Sequence, residues 1–278
     1  MLHLETITLA KSRSRRALDL VLDSPFVLAL QRLRYERRYR QWPGAFRGVY
    51  PDFAAAIAAA PSEMPLGYDS EEMASLYLDL HDRVWPTDYP TMLWLQKALP
   101  GIRKLFDLGG HLGISFYGFS RYLAFPASLR WLVCDVPAVV EKGRELARTR
   151  GAERLEFTTR QEECDGAEVL HASGSLQYLE APLEALLDRL ARPPGHLFLN
   201  KLPLHDGPAF VTLQHTVHAY SPYRVFNREQ FIAGFTTRGY ELVDSWDDRE
   251  RSCVVPYFPG HAVGRYTGLY LRRRSSAT

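Results

Sequence analysis

The sequence is poor in features that define several large protein classes. It has only 3 cysteines in 278 residues, Cys134, Cys164 and Cys253, far apart and without a CxxC pair. Neither a disulfide framework nor a zinc ribbon can organise such a chain, and a reducing cytoplasm is the expected setting. No apolar run approaches the roughly 20 residues that cross a bilayer. The first residues, Glu5 among them, lack the apolar stretch of a secretion signal. Net charge is also small at +2, which gives no reason to expect a nucleic-acid partner. There is no internal repeat and no long low-complexity tract.

Apolar residues are plentiful: 46% of the chain is hydrophobic, enough to fill a sizeable core. The charge is unevenly spread. Between Lys11 and Arg40 there are nine basic and three acidic residues. That stretch is either the solvated face of helices or an attractor for an anionic acceptor or surface. Residues 1–98 read as mainly helical: Leu18, Leu20, Val21 and Leu22, then Val27, Leu28, Leu30 and Leu33, recur near helical spacing. Asp52 can cap an alanine-rich helix, and Ser70 before Glu71 and Glu72 can start another running towards Leu80. This region is expected to form a helical cap or a homodimer surface.

From residue 99 to 278 the rhythm changes. Apolar runs at 102–106, 129–134, 155–157, 169–172 and 196–200 alternate with helical stretches at 114–123, 138–149 and 183–190. Alternation of this kind predicts an α/β fold, a parallel Rossmann-like sheet with helices on both faces. A helix at 231–235 followed by strands at 240–243 and 266–271 predicts a reversed closing strand at one edge.

The most informative segment is Phe106-Asp107-Leu108-Gly109-Gly110-His111-Leu112-Gly113, which follows a predicted strand and opens a predicted helix. Ligands of such sheets bind at the carboxyl ends of strands. A dinucleotide fingerprint G-x-G-x-x-G ending on Gly110 and Gly113 would need glycine where Leu108 stands. The pattern D-x-G-x-G-x-G of S-adenosylmethionine (SAM) sites matches Asp107, Gly109 and Gly113, with His111 in place of the middle glycine. Asp135 ends the second strand, 28 residues on. A carboxylate there either accepts hydrogen bonds from a ribose diol or caps the helix that starts near Pro137.

Asp107-Leu108-Gly109-Gly110 and Cys134-Asp135-Val136-Pro137 resemble the D-V-G-G-G-T-G and D-L-P segments of SAM-dependent O-methyltransferases. More specifically, the chain resembles a family of bacterial methyltransferases associated with surface-polysaccharide and natural-product gene clusters, most without an assigned substrate. The segments that carry the likeness include Gly67-Tyr68-Asp69-Ser70, Ala172-Ser173-Gly174-Ser175-Leu176-Gln177-Tyr178 and Gly239-Tyr240-Glu241-Leu242-Val243. The resemblance implies SAM over Gly109 to Gly113, ribose on Asp135 with Val136 beside it, the adenine amine near Glu162 or Glu163, and the methionine moiety beside Ser173 and Gly174.

The resemblance also implies a base just after the fourth strand, but that place holds Gln177, which cannot take a proton. His205 beside Asp206 is then the most base-like pair, since histidine titrates near neutrality. Gln177, Tyr178 and Lys201 are expected around the acceptor, a small molecule carrying a hydroxyl, with or without an anionic group. His171 reads as a packed core residue. His215 and His218, three apart, can share a helix face but lack further ligands, so no metal is expected. Two rivals stand beside the methyltransferase reading: a degenerate fold serving as a non-catalytic partner, and an NAD-dependent oxidoreductase.

Overall fold

A computed structural model describes residues 24–274, apart from 77 and 79–81. Lys11, Arg13, Arg15, Arg16, Leu18, Leu20, Val21, Leu22 and Leu80 lie outside the described residues. The polypeptide divides into two compact units, Met1–Ala45 and Phe46–Thr278; residues 46–98 therefore group with the larger unit. In the first unit, helix α1 (Pro25–Tyr39) starts on Ser24, whose hydroxyl accepts from the Val27 N–H, with Pro25 at its first position. That proline lacks an N–H that would have no helical partner anyway. Arg37 and Arg38 occupy the last turn, where cations complement the helix dipole.

The second unit opens with β1 (Phe46–Tyr50), α2 (Phe53–Ala58), α3 (Glu71–Ser75) and α4 (Asp88–Ala98). Asp52 and Ser70 cap α2 and α3 through the Ala55 and Met73 N–H groups, as their sequence positions suggested. The main layer follows: β2 (Lys104–Leu108), α5 (Ile114–Ser120), β3 (Arg130–Cys134), α6 (Pro137–Thr149), β4 (Leu155–Thr158), β5 (Val169–Ser173), α7 (Leu183–Leu187) and β6 (His196–Leu202). After an excursion through β7 (Leu204–His205), β8 (Phe210–His215) and β9 (Tyr220–Asn227) come α8 (Arg228–Thr236), β10 (Tyr240–Asp248), the short β11 (Cys253–Val254) and β12 (Ala262–Val263), and β13 (Tyr266–Arg273).

The seven-stranded sheet has the order β10-β13-β6-β5-β2-β3-β4. Strands β2 to β6 pair in parallel, while β13 runs antiparallel to both β6 and β10. The α/β expectation and the reversed closing strand are both met. The chain order reverses between β2 and β5, the place where such sheets bind ligands. Side chains alternate across the sheet. Phe106, Leu108, Leu132, Leu170 and Leu199 pack on one side with Leu186 of α7 and Phe235 of α8. Leu105, Trp131, Val133 and Phe198 pack on the other with Leu95 of α4, Phe119 of α5 and Val140 of α6. Each such side chain, fully buried, contributes about 1.5–3 kcal/mol.

Two local features differ from the sequence reading. Phe46–Tyr50 is a strand, antiparallel to β8, in a second sheet of order β1-β8-β9-β7. His215 and His218 share no helix face: His215 ends β8, and Thr216 closes the turn to β9 by hydrogen bonds with Ala219. The β-branched and aromatic residues of Val211–Leu213 and Tyr220–Phe226 favour this pleated pair. No group of three metal-ligating side chains occurs among the described residues, nor does any helix there long and apolar enough to cross a membrane.

Candidate active site

Strand β2 delivers Asp107 to the carboxyl edge of the sheet, and the chain then turns sharply into α5. Gly109, His111 and Gly113 all have left-handed φ, at 70°, 53° and 83°. The turn is also close-packed. A Cβ on Gly109 would lie 2.3 Å from the Ser175 Cβ, and one on Gly110 would lie 2.5 Å from the Asp107 carboxyl. Both positions therefore exclude any side chain. His111 enters the left-handed region where the SAM pattern has glycine, a conformation histidine adopts more readily than most residues. Its Nε2–H donates to the Met73 carbonyl at 3.2 Å, so the ring latches the loop to α3. Burial pushes its pKa down to about 4, which keeps the ring neutral.

Two carboxylates stand at adjacent strand ends. Asp107 is 1% exposed. Its Oδ2 accepts from the Trp131 indole N–H at 3.0 Å, while Oδ1 has no partner among the described residues. Burial pushes this carboxyl up to about 7, against the opposing Trp131 hydrogen bond. Asp135 accepts from the His111 N–H at 2.9 Å on one oxygen and from the Val136 N–H at 2.8 Å on the other. Burial raises it to about 6. It does not cap the body of α6, because the Ala138 N–H goes to Asp69 Oδ1 at 3.0 Å. Asp69 and Ser70 thus cap two different helices, α6 and α3, from one short segment. The sequence reading did not find this role for Asp69.

At the ends of β5 and β6 lie Ser173, Gly174, Gln177, Tyr178 and Lys201. The Ser173 Oγ and Gln177 Oε1 are buried without hydrogen-bond partners among the described residues. Ser175 donates to the Leu108 carbonyl at 2.5 Å, tying the glycine loop to β5. The Tyr178 hydroxyl donates to Gln214 of β8 at 2.7 Å, and its ring packs on Tyr68 and Tyr223. Lys201 is largely but not fully buried and pairs with Asp88 of α4 at 3.0 Å. Burial lowers its pKa, and Asp88 opposes that. Asp88 also accepts from the Trp85 N–H and from Asn200. Asp88 and Trp85 come from upstream of the glycine loop and were not found by sequence reasoning; a carboxylate at the start of the apolar run of α4 was the available signal.

His205 and Asp206 do not meet. The His205 Nε2–H donates to the Pro208 carbonyl at 2.8 Å, while exposed Asp206 pairs with Arg228. Glu162 is exposed in a short 3-10 turn, Gln161–Cys164. Its neighbour Glu163 is held by Thr158 and Arg160. His171 is a core residue with a definite tautomer. Its Nδ1–H donates to the Phe198 carbonyl, so Nε2 accepts from the Ser115 hydroxyl.

No protein-family model and no curated protein matches this chain. Solved structures do. A chain from the complex of the Haloferax volcanii Trm112 methyltransferase activator aligns at TM-score 0.50 and 14% identity, covering 75% of this chain and 97% of that one. The [4+2]-cyclase SpnF aligns at TM-score 0.50 and 15% identity, covering 77% and 100%. The 1,6-didemethyltoxoflavin-N1-methyltransferase of Burkholderia thailandensis aligns at TM-score 0.46 and 22% identity, covering 78% and 95%. At such identities the likeness concerns the fold, and a fold hosts many chemistries. The chain has the Rossmann-like sheet of the SAM-methyltransferase fold, with its closing strand reversed.

Proposed function

We propose that this chain is a SAM-dependent methyltransferase acting on a hydroxyl of a small molecule, such as a sugar or a natural-product intermediate. The observation that carries the reading is the glycine loop at the sheet's switch point, packed too tightly for a Cβ at Gly109 and Gly110 and flanked by the buried Asp107 Oδ1 and Ser173 Oγ, which have no partner among the described residues. Orphaned acceptors of this kind suit a ligand that brings an ammonium group, as the methionine moiety of SAM does. Each Asp135 oxygen already takes one N–H and has a second lone pair for a ribose hydroxyl. When bound, SAM supplies an electrophilic methyl group on a sulfonium.

The chain's own part is mainly alignment. Gly109 and Gly110 let backbone approach the ligand closely. Gly174, Gln177 and Lys201 border the adjoining space, and closing off water there favours in-line attack. Glu162 is the side chain we assign to the adenine amine. An NAD-dependent reading is disfavoured because Leu108, where the dinucleotide pattern needs glycine, is a 3% exposed core residue. A non-catalytic reading is separated by experiment. The full chain is incubated with methyl-labelled SAM and a small-molecule extract of its host. Label passing into a discrete small molecule supports the proposal; SAM binding without any transfer would favour the non-catalytic partner.

A further inference from the structure

The cluster around Lys201 contains more polar groups than cofactor binding needs. Lys201 sits in β6 with φ 58°, a strained conformation for a residue with a long side chain that persists only where the surroundings impose it. Its side chain is 12% exposed. Its ammonium lies 3.0 Å from Asp88 Oδ1 and 5.0 Å from the centre of the Trp85 ring. Asp88 is fixed in turn by the Trp85 N–H at 2.9 Å and the Asn200 amide at 3.1 Å. An ammonium has three donors, and Asp88 accounts for one.

Gln177 borders the same glycine. A Cβ on Gly174 would lie 3.6 Å from the Lys201 Cδ and 3.8 Å from the Gln177 Nε2. The Gln177 Nε2 donates to the Gly174 carbonyl at 2.9 Å, which fixes the amide orientation and leaves Oε1 as the buried acceptor without a partner among the described residues. The site therefore offers a held cation and a neutral acceptor on either side of Gly174. Gln177 is no base, since a carboxamide takes no proton at neutral pH, and the nearest histidine in sequence, His205, is turned to the Pro208 carbonyl through its Nε2–H.

We propose that Lys201 holds the reacting oxygen of the acceptor as an anion, so that the acceptor is an acidic hydroxyl, a phenol or an enol, and transfer needs no general base. The inference rests on the methyltransferase reading and narrows its acceptor away from sugar hydroxyls. In the step itself, a lone pair of the oxygen anion forms the new O–CH3 bond. The S–CH3 bond breaks and its electron pair stays on sulfur, giving a methyl ether and S-adenosylhomocysteine (SAH) with no proton to release. The Gln177 Oε1 takes a second O–H or N–H of the acceptor. Asp88 opposes the loss of charge that burial favours at Lys201, and a charge there acts strongly in a water-poor site.

The test uses the full chain saturated with SAH and 4-nitrophenol as probe, because its anion absorbs visible light and its neutral form does not. Binding as the phenolate should lower the probe's apparent pKa by about one unit or more. Lys201→Met should weaken binding about tenfold or more, Lys201→Arg should retain it, and Gln177→Glu, which adds a negative charge while conserving size, should weaken it similarly. SAH affinity and melting temperature are read on every variant. Unchanged SAH affinity with lost phenolate binding supports the proposal; absent SAH binding in the parent chain defeats the cofactor reading instead. The proposal is overturned if the probe binds as neutral phenol, binds Lys201→Met and Gln177→Glu as well as the parent, or fails to bind the SAH-saturated parent up to its solubility limit.

Discussion

Replacing Asp107 by asparagine separates what the site costs the fold from what it gives the ligand. The carboxyl is 1% exposed and burial moves it from 3.8 up to about 7. Between those pH values the folded chain keeps a proton that the unfolded chain has released, so the stability contributed by this group falls as pH rises and is fully lost above about 7. One pH unit of proton affinity is worth about 1.4 kcal/mol, which sets an upper bound of about 4 kcal/mol. Relaxation around a buried charge reduces this, and about 1–3 kcal/mol is the expected difference. Asparagine is neutral throughout, and its carbonyl can still accept from Trp131. Denaturant midpoints of the ligand-free chain, taken near pH 5 and near pH 8, should therefore favour Asp107→Asn increasingly at the higher pH. SAM affinity of the same variant should fall roughly tenfold or more, because an acceptor for the ligand's ammonium has become a donor. Parallel pH profiles for parent and variant, or undiminished SAM affinity, would refute the reasoning.

Three further outcomes follow from the same geometry. Gly110→Ala places a Cβ 2.5 Å from the Asp107 carboxyl; it should cost about 1–3 kcal/mol in thermal or denaturant unfolding and abolish measurable SAM binding. Asp135→Ala removes the acceptor for the His111 and Val136 N–H groups. Its SAM affinity, measured by calorimetry, should drop about tenfold or more; a folded variant with parent affinity would leave Asp135 with a backbone role only. His205→Ala should keep near-parent turnover on an acidic hydroxyl acceptor, whereas a loss of about 10²–10⁴ in kcat would make His205 a general base.

The parallel core was legible because strands buried on both faces read as apolar runs, and those from Leu105 to Leu199 are separated by helices with clear boundaries. Strand β13 was legible for the same reason, whereas β10 is a half-exposed edge strand of which only the apolar start at 240–243 was readable. The strand Phe46–Tyr50 was not, because its partner is β8, and the Thr212 hydroxyl bonds the Arg47 carbonyl across 165 positions; local pattern carries no such pairing. The glycine loop and Asp135 were readable as backbone and charge requirements at strand ends. His205 and Asp206 looked paired because they are adjacent, yet His205 ends β7 and Asp206 lies in the bend beyond it, and each takes its own partner, Pro208 and Arg228. Lys201 was readable as a candidate, but its fixation by Asp88, Trp85 and Asn200 depends on α4 folding back onto β6.

The central claim is that the loop from Asp107 to Gly113 holds SAM, and calorimetric titration of the full chain with SAM, SAH and NAD tests it most directly. One molecule of SAM or SAH should bind per chain, with heat lost or strongly reduced in Asp135→Ala, and NAD should give no binding heat. Saturable NAD binding without a SAM or SAH signal would contradict the account.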